Sequence, residues 1–266
     1  MVCVVAEIGI NHQGSLNLAH TLINHAAQAG ADAVKFQLYR PFLLSPPGPW
    51  RDMLKTLALP TGLYPDLKAY AEALDLEFLC TPFDVMSLEF LVDMGVKRLK
   101  ISSGGLRDMA LLEAARSSGL DLILSTGMAT VSDIREAMRA LNWPKVFMLQ
   151  CTSCYPTRPS DVHLRVMDTY RREFDALPGL SDHTTGIAVP IAATALGAKM
   201  IEKHLTLDRD AEGPDHQASI EPAQFKAMVE GIREAEQALG SDEKAPLDCE
   251  APVMKIRNER EKWRSL

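Results

Sequence analysis

The chain has 266 residues, 47% of them hydrophobic and 24% charged, an ordinary globular composition at a length that one barrel domain can fill. Its net charge of −7 is spread along the sequence, and no basic stripe or aromatic-interleaved Lys/Arg run indicates nucleic acid as a partner. No apolar run approaches the roughly 20 residues of a membrane span. No signal-peptide pattern follows Met1 and the five cysteines give no disulfide framework, so we expect a cytoplasmic protein.

Short apolar runs alternate with amphipathic stretches along the whole chain. Near-continuous hydrophobicity is typical of strands that are buried on both faces. The predicted strands are Val2–Ile10, Ala33–Gln37, Glu77–Thr81, Arg98–Ser102, Leu120–Thr126, Val146–Thr152, Leu177–Ser181 and Met200–Leu205. Ser15 is expected to cap the first helix, Thr130 and Asp133 have capping-box spacing, and Glu221-Pro222 is expected to open the last helix.

Eight strand–helix units in succession predict an α/β fold, a (β/α)₈ TIM barrel in a single domain. We expect the catalytic barrel to cover residues 1–240 and residues 241–266 to form a C-terminal extension. A doubly wound open sheet is the alternative. It is disfavoured because Gly9 and Gly14 do not make the glycine fingerprint of a dinucleotide-binding first turn.

Two histidines near the end of the chain, His183 and His204, each lie at the carboxyl end of a strand-like run. Consecutive strands of a parallel barrel would bring both imidazoles to the same rim, and Asp215 can add a carboxylate above it. Two imidazoles with oxygen ligands and open positions suit a divalent metal that must also bind substrate. For either histidine alone, a role limited to hydrogen bonding at a strand end is the alternative.

The other predicted strand ends carry two lysines and several hydroxyl groups, more than a purely structural barrel needs. Burying such groups without partners would be costly. A phosphorylated, carboxylated small molecule would satisfy them together. Each signal is weak by itself, since a buried lysine beside a carboxylate is more often an ion pair.

Motifs along roughly residues 3 to 240 resemble those of the N-acetylneuraminate (sialic acid) synthase family, in the family's order and at matching strand positions. The motifs are Ala6-Glu7-Ile8-Gly9-Ile10-Asn11-His12-Gln13-Gly14, Ala31-Asp32-Ala33-Val34-Lys35-Phe36-Gln37, Thr81-Pro82-Phe83, Lys100-Ile101-Ser102-Ser103-Gly104, Leu124-Ser125-Thr126-Gly127-Met128, Cys151-Thr152-Ser153 with Tyr155-Pro156, Gly179-Leu180-Ser181-Asp182-His183-Thr184, Glu202-Lys203-His204 and Gly213-Pro214-Asp215.

The resemblance implies a barrel that condenses phosphoenolpyruvate with an amino-sugar aldehyde of the N-acetylmannosamine type. The product would be a sialic-acid-type nonulosonate, phosphate would be released, and Mn²⁺ or Mg²⁺ would assist. His183 and His204 would hold the metal. The residues around phosphoenolpyruvate would be Lys35, Thr81, Lys100, Ser103, Ser125, Ser153 and Ser181. Those facing the open-chain sugar would be Glu7, Gln37, Tyr155 and Asp215. Glu7, Lys100 and Asp215 are the expected catalytic residues.

The sequence departs from the family pattern in two places. Gly105 stands where family members usually carry a glutamate, so Glu7, Asp182 or Asp215 would have to supply that carboxylate. Family members also continue into an antifreeze-protein-like domain, which sends an arginine into the partner's sugar site and would begin near residue 266. We therefore expect a more open acceptor end, and a homodimer remains compatible with the sequence.

Residues 38–60 contain five prolines and predict a long loop on the active rim. The loop is expected either to fold over the acceptor, with Arg40 or Arg51 supplying positive charge, or to be an ordinary mobile loop.

Two other functions remain open. One is a Schiff-base aldolase that uses Lys100 or Lys35. The other is a phosphoenolpyruvate-binding barrel that takes a different aldehyde or has lost turnover.

Overall fold

The computed structural model describes residues 1–142 and 146–264 of the chain. Eight strands form one sheet, and the strand order is β3-β2-β1-β8-β7-β6-β5-β4. The strands are β1 (Cys3–Gly9), β2 (Ala33–Leu38), β3 (Glu77–Pro82), β4 (Arg98–Ile101), β5 (Asp121–Ser125), β6 (Phe147–Cys151), β7 (Leu177–Asp182) and β8 (Met200–His204). The paired strands are parallel, and β3 and β4 lie next to each other, which nearly closes the barrel. The predicted TIM barrel is confirmed.

Helices alternate with the strands and surround them. They are α1 (Leu16–Gln28), α2 (Pro41–Leu44), α3 (Pro49–Leu57), α4 (Tyr64–Glu72), α5 (Val85–Asp93), α6 (Met109–Ser118), α7 (Val131–Leu141), α8 (Val166–Phe174), α9 (Ala188–Ala195), α10 (Pro222–Leu239) and α11 (Ala251–Arg264). None of the helices described by the structure is both long enough and apolar enough to cross a bilayer.

The expected helix starts are present. The Ser15 hydroxyl accepts a hydrogen bond from the backbone N–H of Leu18 at 3.3 Å and caps α1. Thr130 and Asp133 form both hydrogen bonds of a capping box at the start of α7. Pro222 occupies the first turn of α10, where its missing N–H leaves no helical hydrogen bond unmade. The expectation that this helix is the last one is wrong, because α11 follows it.

The barrel interior is filled by an apolar layer near the amino-terminal ends of its strands. This layer consists of Val5, Ala33, Leu79, Ile123, Leu149 and Met200. Because side chains alternate across a strand, the residue two positions further along also faces inward. Those next residues are Glu7, Lys35, Thr81, Ser125, Cys151 and Glu202. The interior therefore changes from apolar to polar between one layer of side chains and the next, towards the carboxyl ends of the strands.

The prediction of a long loop between residues 38 and 60 is wrong, because this segment contains α2 and α3. Both helices begin with a proline, a residue that is tolerated in a first turn. Leu54 and Leu57 of α3 pack in a buried cluster with Ile10 and Tyr39. Burial of these apolar side chains attaches the segment to the barrel.

At the C-terminal end, α11 exposes Val253, Ile256 and Trp263 to solvent. That the barrel domain ends at residue 240 stays a prediction. The last two residues of the expected extension, Ser265 and Leu266, lie outside the described residues.

Candidate active site

A cavity of about 270 Å³ opens at the carboxyl ends of the strands. Every predicted site residue except Asp215 contributes to its lining. These lining residues are Glu7, Lys35, Gln37, Thr81, Lys100, Ser103, Ser125, Ser153, Tyr155, Ser181, His183 and His204. The cavity is also lined by residues that had no predicted role, namely Phe83, Ser102, Gly104, Met128, Cys151 and Glu202.

Lys35 lies at the centre of a buried polar cluster. Its ammonium is 2.9 Å from a carboxylate oxygen of Glu7, 3.6 Å from Glu202, and donates to the Thr81 hydroxyl at 3.0 Å. Burial by itself would lower the pKa of Lys35, but the negative charges of Glu202 and Glu7 raise it above its ordinary value. Lys35 therefore carries a positive charge at neutral pH.

Glu202 is a functional candidate that sequence analysis missed. Its two carboxylate oxygens accept hydrogen bonds from Lys100 at 2.9 and 2.8 Å, and Ser181 donates to one of them at 2.9 Å. Burial would raise the pKa of Glu202, but Lys100 and Lys35 hold it well below its ordinary value. The signal was present in the sequence, because Glu202 stands two residues before His204 and so faces the same side of β8.

The two histidines meet as predicted, with ring centroids 5.4 Å apart. Nδ1 of His183 lies 2.9 Å from the carbonyl oxygen of Thr152 and donates to it, so in the neutral ring the lone pair is on Nε2. Burial lowers the pKa of His183, but the Cys151 side chain and the Thr152 carbonyl raise it above its ordinary value, so a metal would have to displace a proton. Nδ1 of His204 is buried without a hydrogen-bond partner. Burial lowers the pKa of His204 and favours the neutral imidazole that a metal requires.

Asp215 stands beside this histidine pair. One of its carboxylate oxygens is 3.9 Å from Nδ1 of His204. Burial, assisted by the negative charge of Glu7, raises the pKa of Asp215 to about 6. Asp215 can therefore exchange a proton near neutral pH. Burial also raises the pKa of Glu7, although the charge of Lys35 opposes the shift.

The donor set at this rim fits a divalent metal. A buried imidazole nitrogen without a partner and a second imidazole whose other nitrogen is oriented by a carbonyl match the two predicted ligands, and the Asp215 carboxylate lies close by. Within residues 1–142 and 146–264, no group of three or more His, Cys, Asp or Glu side chains is arranged to hold a metal ion. Water and substrate oxygens would therefore have to complete the coordination, as expected for an open catalytic site.

Sequence comparison assigns the chain to a family. A model described as the NeuB family matches residues 22–244. The chain belongs to the NeuB family. It is 41% identical to an N,N'-diacetyllegionaminic acid synthase of Legionella pneumophila, over 95% of this chain and 78% of that protein. It is 38% identical to the N-acetylneuraminate-9-phosphate synthase of Homo sapiens, over 93% of this chain and 74% of that protein.

The crystal structure of an N-acetylneuraminic acid synthetase from Leptospira borgpetersenii superposes with a TM-score of 0.89. The two chains are 36% identical, and the alignment covers 97% of this chain and 91% of the other. The likeness to a NeuB-family relative thus extends through the whole barrel.

Gly105, one of the departures from the family pattern, is closely packed. A Cβ atom there would lie 3.1 Å from Leu111 and 3.3 Å from Ile101, two residues of the hydrophobic core. The same Cβ would lie 3.5 Å from the hydroxyl of Ser102, which lines the cavity, so a side chain here would start between the core and the cavity wall.

Of the three carboxylates expected to replace the family's glutamate, Asp182 is unavailable. It is fully buried in an ion pair with Lys203, at 2.6 Å. Glu7 lines the cavity and Asp215 lies beside it, so these two remain candidates in this NeuB-family chain.

The expectation that Arg40 or Arg51 supplies positive charge to the site is wrong. The Arg40 guanidinium pairs with Asp84 at 3.0 Å. Arg51 donates to the backbone carbonyls of Ser45 and Phe42, and neither arginine lines the cavity. Both guanidinium groups instead stabilise the backbone around α2 and the start of α5.

Proposed function

We propose that this NeuB-family chain condenses phosphoenolpyruvate with the aldehyde of an open-chain amino sugar of the N-acetylmannosamine type. The product is a sialic-acid-type nonulosonate, and inorganic phosphate is released. Mn²⁺ or Mg²⁺ assists, held by His183 and His204. The observation that carries the proposal is the convergence of Lys35 and Lys100 on one cavity with these two imidazoles.

The donor end of the cavity suits a ligand that carries both a phosphate and a carboxylate. Lys35 and Lys100 provide two buried ammonium groups. Hydroxyl groups of Ser103 and Ser153 lie close around Gly127, where a Cβ would be 2.8 Å from the oxygen of Ser103. A side chain on residue 127 would fill this niche, so the glycine keeps it open for an oxyanion.

The acceptor end lies around Gln37, Tyr155 and Asp215. Gln37 donates to Glu7 at 3.2 Å, and the Tyr155 ring stands 4.1 Å from the ring of His183. These polar and aromatic groups can orient the hydroxyls and the apolar face of a sugar chain. When bound, the metal ion would supply a Lewis acid for the aldehyde oxygen.

The reaction consumes one water and balances as follows. Carbon three of phosphoenolpyruvate forms a bond to the aldehyde carbon, and the aldehyde oxygen takes a proton, which a protonated Asp215 can donate. Water adds to carbon two and gives up one proton, which the Asp215 carboxylate can take back. The resulting tetrahedral centre loses phosphate by cleavage of its C–O bond, and its hydroxyl becomes the product ketone. The two lysines offset phosphate charge during these steps.

The relatives' names support the sugar class. They describe synthases of N,N'-diacetyllegionaminic acid and N-acetylneuraminate 9-phosphate. The cytoplasm as the compartment of the reaction stays a prediction. A homodimer stays a prediction.

Phosphate release tests the proposal. The protein is incubated with phosphoenolpyruvate, Mn²⁺ and single members of a panel of hexosamines, N-acylated hexosamines and simpler aldehydes. We expect release to require both the metal and an N-acylated amino sugar. Release with simple aldehydes alone would indicate a different acceptor. Phosphoenolpyruvate binding without release on any acceptor would instead indicate a barrel that has lost turnover.

A Schiff-base aldolase is less compatible with the site. A lysine nucleophile requires a free amine. Burial lowers the pKa of Lys100 and so favours that form, but Lys100 donates to both oxygens of Glu202, and Lys35 pairs with Glu7. Borohydride treatment in the presence of pyruvate is expected to leave the mass of the protein unchanged. A covalent adduct on either lysine would favour the aldolase.

A further inference from the structure

A second ion pair lies close to the histidines but does not face the cavity. Lys203 and Asp182 are both fully buried, with the ammonium nitrogen 2.6 Å from a carboxylate oxygen. Lys203 stands between Glu202 and His204 on β8, and these two neighbours line the cavity. Because side chains alternate along a strand, Lys203 must face the opposite side, towards the surrounding helices.

The pair joins the residues that directly precede the two imidazoles. Asp182 precedes His183 and Lys203 precedes His204, and the register of β7 and β8 places Asp182 opposite Lys203. The ion pair is therefore a cross-strand link one residue below the predicted metal ligands.

The same two side chains also hold the backbone on the far side of His183. The Lys203 ammonium donates to the carbonyl of Thr184. Asp182 accepts from the backbone N–H of Thr184 at 3.1 Å and from its hydroxyl at 2.9 Å. His183 is thus enclosed by a short turn whose two ends are fixed to one ammonium group.

Stability alone is a weak explanation for this arrangement. Burying two charges is costly, and apolar side chains of similar volume often stabilise a core as well or better. What an apolar pair cannot supply is a directional link between two strand ends. The expected benefit is a defined separation of the imidazoles.

We infer that Asp182 and Lys203 are positioning residues that fix His183 relative to His204 and so set the affinity of the site for a divalent metal. The inference deepens the proposed function and rests on it, because that function assigns the metal to these histidines. It also explains why Asp182 cannot replace the family's glutamate.

The test uses a double variant, Asp182→Asn with Lys203→Met, which removes both charges together and leaves neither one buried alone. Mn²⁺ affinity is measured without substrate from the electron paramagnetic resonance signal of free Mn²⁺. Loss of a group that orients a metal ligand typically weakens metal binding about 10–100-fold, and we expect a loss in this range. Hydrogen exchange at His183 and Thr184 is measured on the metal-free protein, and we expect it to be faster.

A matched control is available at the other end of the barrel. Glu77→Gln with Arg98→Met removes an ion pair, with Nε of Arg98 2.9 Å from the Glu77 carboxylate, that lies far along the strands from the histidines. This variant is expected to lose thermal stability and to keep the parental Mn²⁺ affinity.

Weaker Mn²⁺ binding and faster exchange at His183 and Thr184, confined to the Asp182/Lys203 variant, support the inference. Parental Mn²⁺ affinity in this variant overturns it, and so does an equal loss in the control. If the parent protein binds no Mn²⁺, the metal dependence of the proposed function fails. Hydrogen exchange in the metal-free proteins then decides by itself whether the pair positions His183.

Discussion

Lys100 and Glu202, which are 102 residues apart in the chain, form a two-point ion pair inside the barrel, at 2.9 and 2.8 Å. The pair links β4 to β8 across the interior. Because Glu202 already balances Lys100, a bound phosphate or carboxylate must share this ammonium with an internal anion. The affinity of the cavity for phosphoenolpyruvate therefore depends on how strongly Glu7 and Glu202 compete with the substrate for the two lysines.

Removal of Lys100 should weaken the binding of phosphoenolpyruvate. Lys100→Ala deletes one charged partner and leaves Glu202 buried, so we expect a loss of about 2–3 kcal/mol in binding free energy, as for other truncated charge pairs. Titration calorimetry with phosphoenolpyruvate measures the loss. Lys97→Ala, which removes an exposed lysine three residues earlier, serves as the control and should bind like the parent. Parental affinity in Lys100→Ala would show that this lysine has only a structural role.

The metal prediction concerns His183 and His204. Alanine at either position should abolish metal-dependent phosphate release, because one remaining imidazole leaves the metal with too few protein ligands. His163→Asn is the control, since His163 is exposed and its φ of 52° is tolerated by asparagine. Turnover and circular dichroism are measured for each variant. Full activity of His183→Ala would contradict the assignment.

Gly105 should resist substitution for reasons of packing. Gly105→Ala places a Cβ 3.1 Å from Leu111, and overpacking of this kind typically costs about 1–3 kcal/mol of stability. Gly62→Ala is the matched control, because no atom lies within 4 Å of its added Cβ. Urea unfolding compares the two variants with the parent. Equal stabilities would show that the core near Gly105 accommodates the extra carbon.

Because His12 is buried, we predict that the stability of the protein depends on pH in the acid range. Nδ1 of His12 accepts from the N–H of Gly14 at 3.1 Å, and burial lowers the pKa of His12 from 6.5 to about 4. Between these values the unfolded chain binds a proton that the folded chain does not. The contribution of His12 to the free energy of unfolding is therefore fully present above pH 6.5 and is lost as the pH falls towards 4.

The difference between the two pKa values corresponds to a change of roughly 3 kcal/mol in the free energy of unfolding from this single group. The measurement is urea unfolding of the parent and of His12→Asn at a series of pH values between 4 and 7.5. The difference in stability between the two proteins should shrink as the pH falls. A constant difference would place the pKa of the folded histidine near its ordinary value.

Local patterns in the sequence were sufficient to predict the fold. Each predicted strand end lies within one residue of the observed end. The ends were predictable because a strand buried on both faces is marked by a local run of apolar residues. The meeting of the two histidines followed from the same geometry, whereas the roles of the other site residues came from the family resemblance. In a parallel barrel all carboxyl ends share one rim, so His183 and His204 had to meet once the strands were assigned.

What the sequence alone did not determine were the partners of the charged groups. Asp182 and Glu202 are both carboxylates near the rim, yet one faces outward to Lys203 and the other faces inward to Lys100. Arg40 and Arg51 were expected to supply positive charge at the acceptor end. Instead, Arg40 pairs with Asp84 and Arg51 donates to a backbone carbonyl. Such pairings join residues distant in the chain and depend on side-chain direction and burial, which only the tertiary structure decides.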